Sequence, residues 1–295
     1  MRILITGATG FIGRACACAA LARGHEVAAL VRPGSSRPVD AALVRIDGEL
    51  ARPDWRAIEA FAPDSCLHTA WIATPGEYLL SPLNHDYLDW SVAFLHGLAG
   101  RGVRHCIATG TCLEYAPQDG PLREDASPLA PASPYARSKD ALRRAMESSA
   151  LDLGWARIFL PFGPGEDPRR LPTSIIQHTL KQESIVLKTP DSIRDFVFIG
   201  DVAGALLTAL EHRFCGSLNV GTGVGVSVRE FAAHIARLLG EPARVIAAEA
   251  AVDPYPAIVA DPARLCALGW RPRTSIEDGL AQIIRSFAPE SITPL

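Results

Sequence analysis

The feature that most constrains the fold lies in the first 31 residues, where a strand, a glycine turn, a helix and a second strand follow one another. RILIT is a short continuous apolar run, which is typical of a strand buried on both faces. Gly7, Gly10 and Gly13 follow it in GATGFIG. The Ala-rich stretch after them has helical character and ends at Gly24, before the apolar run EVAALV. Such a turn presents backbone N–H groups and the positive end of a helix dipole, so the order predicts a βαβ unit that binds the pyrophosphate of a dinucleotide.

Strands and helices continue to alternate along the following part of the chain. Strand-like runs occur in ALVRIDGEL, SCLHTA, RHCIATG and WARIFLPFGPG, and helical runs occur in PDWRAIEAFAP and at 84–100 and 134–150. This alternation predicts an α/β chain with a Rossmann-type doubly wound parallel sheet, covered by helices on both faces.

The alternating pattern loosens toward the C-terminus, where Pro and Gly become frequent. We expect a helix near 172–182, a strand pair near 185–199, and helices at 201–212, in SVREFAAHIARLLG and in TSIEDGLAQII. We therefore divide the chain into an NAD(P)-binding domain at 1–160 and a smaller C-terminal α/β substrate lobe at 161–295. The lobe is expected to return a strand and a helix to the first domain.

The charge and the cysteines argue against several kinds of partner and site. The net charge is −3 and the basic residues are spread out, which argues against nucleic acid or an anionic membrane as a partner. No apolar run reaches the ~18 residues of a membrane-spanning helix, and the glycine-broken N-terminus does not resemble a signal peptide. The seven cysteines form no C-x-x-C pair, so we expect neither a metal site nor a disulfide framework. We expect a cytoplasmic protein.

The end of the second strand indicates which dinucleotide binds. An Asp or Glu there usually accepts the ribose 2′-hydroxyl of NAD, and ALVRPGSSR contains neither. Arg32 stands just after the strand, and Ser35, Ser36 and Arg37 follow it. An arginine at this place pairs with a 2′-phosphate, whereas the alternative is a solvated loop arginine. We therefore favour NADP over NAD.

A tyrosine and a lysine lie one turn apart on SPYARSKDALRRA, which begins with the Ser-Pro pattern of a helix start. Tyr135, Lys139, Leu142 and Met146 share one helix face. An ammonium near a phenol favours the phenolate, so we expect Lys139 to lower the pKa of Tyr135 and prepare it for proton exchange with a carbonyl or alcohol oxygen. The alternative is two amphipathic side chains at a helix edge. Because the pair follows a dinucleotide turn and a fifth strand, we favour catalysis.

Ordered motifs along nearly the whole chain carry a resemblance to a known family. The motifs are TGATGFIG, DGEL, LHTA, TGT, YARSK, RIFLPFGPGE, RDFVFIGDVA, NVGTG and LGWRP. With these motifs the chain resembles the extended short-chain dehydrogenase/reductase family, in its NAD(P)-dependent nucleotide-sugar epimerase/dehydratase/reductase branch.

The resemblance implies a role for each residue at a matching position. Tyr135 would be the catalytic acid/base, Lys139 its electrostatic partner, and Thr111 the hydroxyl that bonds the substrate oxygen. Arg194 matches the arginine that contacts the phosphates of a sugar nucleotide. The cofactor would be held by Gly7, Gly10, Phe11, Ile12 and Gly13 at its pyrophosphate, by Asp47 and Gly48 at its adenine, by Thr69 and Ala70 under the nicotinamide ribose, and by Pro161 and Phe162 at the nicotinamide.

Three residues have a structural alternative. Thr111 at a strand end would bond its own backbone, and Arg194 would pair with Asp191 or Asp195 at the surface. His68 lies in an apolar strand, where we expect a hydrogen-bonded core histidine.

The chain also departs from this branch at two motifs. Leu160 holds the place of a frequent Asn in the sixth strand, and VDPYPAIVADP lacks the second phosphate-binding arginine of an R-P-G-D motif. These departures leave the fold unchanged, but they argue against an ordinary UDP-sugar held in the usual way.

The leading hypothesis is an NADP-dependent oxidoreductase that acts at C4 of a nucleotide-linked sugar and reduces a 4-keto-6-deoxy sugar. A 4-epimerase that retains NAD is the alternative. A dehydratase is disfavoured because Cys112 and Leu113 stand where many dehydratases have Asp-Glu, and Glu114 does not restore that pair. A non-catalytic dinucleotide-binding protein would have lost the tyrosine or the lysine. The resemblance also implies a homodimer, which would be joined through the helices at 84–100 and 134–150.

Overall fold

The computed structural model describes residues 1–35, 37, 39–242, 244–248 and 253–287, and no helix within these ranges is long and apolar enough to cross a membrane. The strands are β1 (Arg2–Thr6), β2 (Glu26–Val31), β3 (Val44–Asp47), β4 (Ser65–His68), β5 (His105–Thr111), β6 (Asp152–Ile158), β7 (Leu160–Phe162), β8 (Ile185–Leu187), β9 (Ile193–Arg194), β10 (Phe196–Phe198), β11 (Gly216–Val220), β12 (Val226–Ser227), β13 (Val245–Ala247) and β14 (Ala257–Ile258). The helices are α1 (Phe11–Ala22), α2 (Trp55–Phe61), α3 (Leu83–Gly100), α4 (Pro134–Ala145), α5 (Leu171–Leu180), α6 (Ile199–Glu211), α7 (Val228–Leu239), α8 (Ala263–Ala267) and α9 (Ile276–Phe287).

A seven-stranded parallel sheet forms the centre, in the order β11-β6-β5-β4-β1-β2-β3. β1 lies in its middle, with Ile3 opposite Val27 on one side and Ser65 on the other. This sheet confirms the predicted Rossmann-type doubly wound architecture. The C-terminal half supplies β11 at the sheet edge and α6 beside α1. The division of the chain at residue 160 stays a prediction.

Both faces of the sheet are buried along its central strands, which explains why apolar residues dominate β1 and β2. Successive strand residues point to opposite sides. Ile3 and Ile5 belong to the core that α1 and α6 cover, whereas Leu4 belongs to the core that α3 covers with Phe94 and Leu98.

Two sequence predictions about strands are wrong. The predicted sixth strand WARIFLPFGPG is divided into β6 and β7, because the backbone changes partners: Phe159 N donates to Val220 O, and Leu160 N donates to Asp195 O. The segments near 185–199 do not pair with one another. Instead β8 pairs with β13, β9 with β12 and β14, and β10 with β7. Local apolar pattern does not encode these distant partners.

Candidate active site

The glycine turn after β1 packs closely against the start of α1. Gly7 has a φ of +72°, which side chains rarely adopt, and a Cβ on Gly13 would lie 2.2 Å from Gly7 O. Gly10 caps α1, which begins with Phe11 and Ile12 and has no acidic residue in its first turn. Because the first N–H groups of a helix have no partner within it, this turn suits a pyrophosphate.

The carboxyl ends of β1 and β4 meet beside the turn. Thr69 Oγ1 donates to Thr6 O over 2.7 Å, and Ala70 N donates to Thr6 Oγ1 over 3.3 Å. A Cβ on Gly7 would stand 2.8 Å from Ala70 N. Thr69 and Ala70 therefore lie against the turn, at the edge where parallel sheets of this kind bind ligands.

A cavity of about 330 Å³ opens where β2 ends, and Arg32, Ser35, Arg37 and Glu49 are among the residues that line it. Arg37 Nη1 donates to Thr9 O over 3.2 Å, which ties this loop to the glycine turn. Two guanidinium groups thus stand where a ribose 2′-phosphate is expected, with one carboxylate on the same cavity.

Asp47 and Gly48 are predicted to flank the adenine. Asp47 is the last residue of β3, and Gly48 follows it. Asp47 is exposed and accepts a hydrogen bond from Arg45 Nε over 2.8 Å. Gly48 is buried, and its N–H donates to Val31 O over 2.9 Å. Ser36, which the sequence places near the 2′-phosphate, lies outside the described residues.

The helix α4 carries the tyrosine and the lysine as predicted. Ser133 Oγ accepts a hydrogen bond from Ala136 N and so caps the helix. Lys139 is buried with Leu142 on the inward face. Its Nζ donates to Thr109 O over 2.8 Å and lies 4.0 Å from the centroid of the Trp71 ring. Burial lowers the pKa of Lys139 to about 7.

The Tyr135 ring lies between α4 and the loop that precedes α3. Tyr78 packs edge-on against it with the ring centroids 4.9 Å apart, and Tyr135 N donates to Leu79 O over 3.2 Å. Burial, and then the neighbouring Tyr78, raise the pKa of Tyr135 above its usual range. The prediction that Lys139 lowers this pKa is therefore wrong, because burial raises it and Lys139 Nζ lies 6.0 Å from the centroid of the Tyr135 ring.

Thr111 combines a local structural role with a place at the site. Its Oγ1 accepts a hydrogen bond from Leu113 N over 3.3 Å, as the structural alternative for Thr111 predicted. The hydroxyl proton remains a donor. Glu114 is fully buried and accepts from Thr111 N, from Trp155 Nε1 and, over 2.7 Å, from Arg157 Nε. Glu114 is therefore held in place by three buried donors.

Arg194 is paired, but with neither of the two predicted acids. Asp191 pairs with Arg229, and the buried Asp195 accepts from backbone and side-chain groups of the loop after β11. Arg194 instead forms an ion pair with Asp253. Local pattern does not predict this pair, because Asp253 lies 59 positions further along the chain.

The predicted nicotinamide contacts lie on β7, opposite the glycine turn. Pro161 is half-buried and its carbonyl accepts from Arg170 Nη2 over 3.4 Å. The Phe162 ring packs edge-on against Phe198 in the core, so we assign any cofactor contact of Phe162 to its backbone. The Arg170 guanidinium lies 5.7 Å from the centroid of the Phe11 ring. Sequence reasoning missed Arg170, since two adjacent arginines in a loop carry no motif.

Sequence reasoning also missed Trp71 and Tyr78, which cover Lys139 and Tyr135 respectively. Both lie on the loop before α3, and the buried Asn84 holds that loop. Asn84 Oδ1 accepts from Trp71 Nε1 over 2.9 Å, and Asn84 Nδ2 donates to Tyr78 O over 2.7 Å. The only signal in the sequence is the concentration of aromatic residues between the fourth strand and the following helix.

His68 is a core histidine, as predicted. Its two ring nitrogens lie 2.9 Å from Thr6 Oγ1 and 3.0 Å from Ser91 Oγ. Burial lowers the pKa of His68 to about 3, so the ring is neutral and structural.

Comparison with known proteins places these features in a wider context. The model of the NAD dependent epimerase/dehydratase family matches residues 3–221. A UDP-glucose 4-epimerase of Corynebacterium glutamicum is 26% identical, and the match covers 95% of this chain and 95% of that protein.

Two solved structures are similar over almost the whole chain. The UDP-glucose 4-epimerase of Thermus thermophilus in complex with NAD superposes with a TM-score of 0.85 at 28% identity, covering 99% of this chain and 100% of that one. MoeE5 in complex with UDP-glucuronic acid and NAD gives a TM-score of 0.84 at 27% identity, with 99% and 100% covered.

Proposed function

Because this chain belongs to the NAD dependent epimerase/dehydratase family, we propose that it is an oxidoreductase acting at C4 of a nucleotide-linked sugar, and in particular a reductase of a 4-keto-6-deoxy sugar that uses NADPH. The observation that carries the choice of reductase is the cavity at the end of β2, where Arg32 and Arg37 stand and the strand ends without an acid. A cofactor with a 2′-phosphate serves reductases that exchange it at every turnover.

The residues of the glycine turn and those around Lys139 suit the cofactor. NADPH, when bound, supplies a hydride to the carbonyl carbon of the sugar. The first N–H groups of α1, which the turn at Gly7 and Gly13 leaves without partners in the helix, would bind its pyrophosphate. Lys139 Nζ, fixed by Thr109 O, would bond the ribose hydroxyls beside Thr69 and Ala70.

Tyr135 and Thr111 would act on the carbonyl oxygen of the sugar. Reduction needs a proton donor at that oxygen, and the phenol of Tyr135 carries a proton at neutral pH. The phenol gives its proton to the oxygen as the alcohol forms. Thr111 donates its hydroxyl hydrogen to the same oxygen and holds the carbonyl in line with the hydride donor.

The experiment that tests this function mixes purified protein with NADPH and 4-keto-6-deoxy sugars carried on UDP, CDP, dTDP or GDP. The expected result is loss of NADPH absorbance with one equivalent of C4 alcohol formed. Absence of turnover with every carrier, from a protein that binds NADPH, would overturn the reductase.

A 4-epimerase is the second candidate, and the comparisons favour it. The C. glutamicum and T. thermophilus proteins are named UDP-glucose 4-epimerases, and the second is in complex with NAD. Glu49 lines the same cavity as Arg32 and would accept a free ribose hydroxyl. An epimerase would keep NAD bound through turnover, so NAD released from denatured protein supports this candidate.

We also propose a homodimer. The helices α3 and α4 pack against one another, and α3 exposes Leu83, which is 44% accessible. A second copy of this pair would complete a four-helix interface.

A further inference from the structure

Arg194 is the last residue of β9 and Asp195 follows it, but their side chains have different roles. Asp195 is fully buried and accepts from Thr222 and Gly223, which fixes the loop after β11. Neighbouring residues of an extended chain point to opposite sides, so Arg194 points the other way. Its side chain keeps 12% of its surface exposed.

The Arg194 guanidinium has several acceptors within the chain. Nη1 donates to Ile193 O over 2.9 Å and to Tyr255 O over 2.8 Å, and Nη2 donates to Asp253. The side chain of Asp253 is 14% exposed. Because little water reaches the pair, its two charges offset one another more fully than those of a surface pair.

Asp253 is itself fixed in place. Ser192 Oγ donates to its Oδ2, and Tyr255 N donates to its Oδ1 over 2.9 Å. These hydrogen bonds, with the Arg194 charge, hold the pKa of Asp253 below its usual range, so it is an anion at neutral pH.

The pair lies near the residues that follow β5. Tyr255, whose carbonyl accepts from Arg194, packs against the apolar cluster that contains Cys112 and Leu122. Arg194 is therefore linked through Tyr255 to the cluster that includes Cys112, the residue after Thr111.

We propose that Asp253 is a specificity-determining residue that neutralises Arg194, so that the phosphate subsite carries no net charge until a substrate phosphate displaces the carboxylate. The inference rests on one element of the proposed nucleotide-sugar function, the phosphate contact that the family resemblance implies for Arg194. The substrate is then selected mainly by its nucleoside and sugar, because its diphosphate must compete with a resident carboxylate.

The test measures the affinity of the protein for UDP, CDP, dTDP and GDP, and for the corresponding nucleosides, by calorimetry. The main variant is Asp253→Asn, which removes the charge and keeps the shape. The matched control is Asp191→Asn, which removes a nearby exposed acid whose side chain is 81% accessible.

We expect Asp253→Asn to bind the preferred diphosphate at least tenfold tighter, about 1.4 kcal/mol, with the nucleoside affinity unchanged and the control like wild type. Equal or weaker diphosphate binding in Asp253→Asn would overturn the proposal.

Ser192→Ala gives a second measurement if Asp253→Asn does not fold. This variant keeps both charges and removes the hydroxyl that fixes Asp253. We expect a gain of about twofold to threefold for the diphosphate, and an unchanged affinity contradicts the proposal.

Arg194→Gln separates this inference from the proposed function. If Arg194→Gln leaves diphosphate affinity unchanged while the wild type reduces keto sugars, the inference fails and the function stands. If Asp253→Asn tightens diphosphate binding in a protein that reduces no keto sugar, the inference stands and the function fails.

Discussion

The ammonium of Lys139, on the buried side of α4, lies 4.0 Å from the centroid of the Trp71 ring. The indole face attracts the cation, and Thr109 O accepts one of its hydrogens over 2.8 Å. These contacts do not fully replace water, since burial still lowers the pKa of Lys139 from 10.5 to about 7. The buried lysine therefore lowers the free energy of unfolding, as is expected of a residue that serves function.

Replacing Lys139 with Met should stabilise the protein while abolishing activity. The gain should be about 1 kcal/mol or more near pH 6, because wild type then buries a charge. It should shrink as pH rises from about 7 toward 10.5, where the folded wild type has lost the proton that the unfolded chain retains. Urea unfolding at several pH values measures this, with the exposed Lys181→Met as control. A pH-independent difference would contradict the buried charge.

Tyr135→Phe should lower kcat by a factor of about 10² to 10⁴ and leave NADPH affinity unchanged, because only the proton donor is lost. Steady-state kinetics and NADPH titration measure the two effects. Tyr87→Phe on α3 removes a hydroxyl outside the proposed donor set and should behave as wild type. Normal turnover by Tyr135→Phe would disprove its role as the acid.

Glu114→Gln should destabilise the fold by about 3–5 kcal/mol, because it leaves the buried Arg157 without its counter-charge. Glu147→Gln breaks a pair with Arg143 in which the carboxylate is 63% exposed, and should cost less than about 1 kcal/mol. Denaturant unfolding of the two variants gives the comparison. Equal losses would show that burial of the Glu114–Arg157 pair contributes nothing.

The double change Arg32→Ala and Arg37→Ala should weaken NADPH binding by at least tenfold, about 1.4 kcal/mol, and leave NADH binding nearly unchanged. Fluorescence titration with each cofactor measures the ratio. Arg56→Ala, on the exposed side of α2, is the control. An equal effect on both cofactors would mean that the arginines do not contact a 2′-phosphate.

The sequence predicted the parts of the fold that local pattern encodes. Gly7 has a backbone conformation, and Gly13 a close backbone contact, that other residues do not allow. The glycine turn between β1 and α1 was therefore predictable. The spacing of Lys139, Leu142 and Met146 identified the inward face of α4, which the structure buries.

Contacts between distant segments were not predictable in the same way. The partner of Arg194 comes from a loop with no motif, and β7 pairs with β10 across a long connection. The sequence also shows that Lys139 lies one helical turn from Tyr135, but it does not show that the phenol is buried. This burial raises the pKa of the phenol instead of lowering it.

The most direct test of the central claim follows the hydride itself. Purified protein would be mixed with NADPH deuterated at the transferring position and with a 4-keto-6-deoxy nucleotide sugar, and the product analysed by NMR and mass spectrometry. The account predicts one deuterium at C4 of the alcohol for each NADPH oxidised, and none with Tyr135→Phe. No deuterium in any product, together with NAD released on denaturation and inversion at C4 of a nucleotide-linked hexose in a parallel reaction, would contradict the reductase and establish the epimerase.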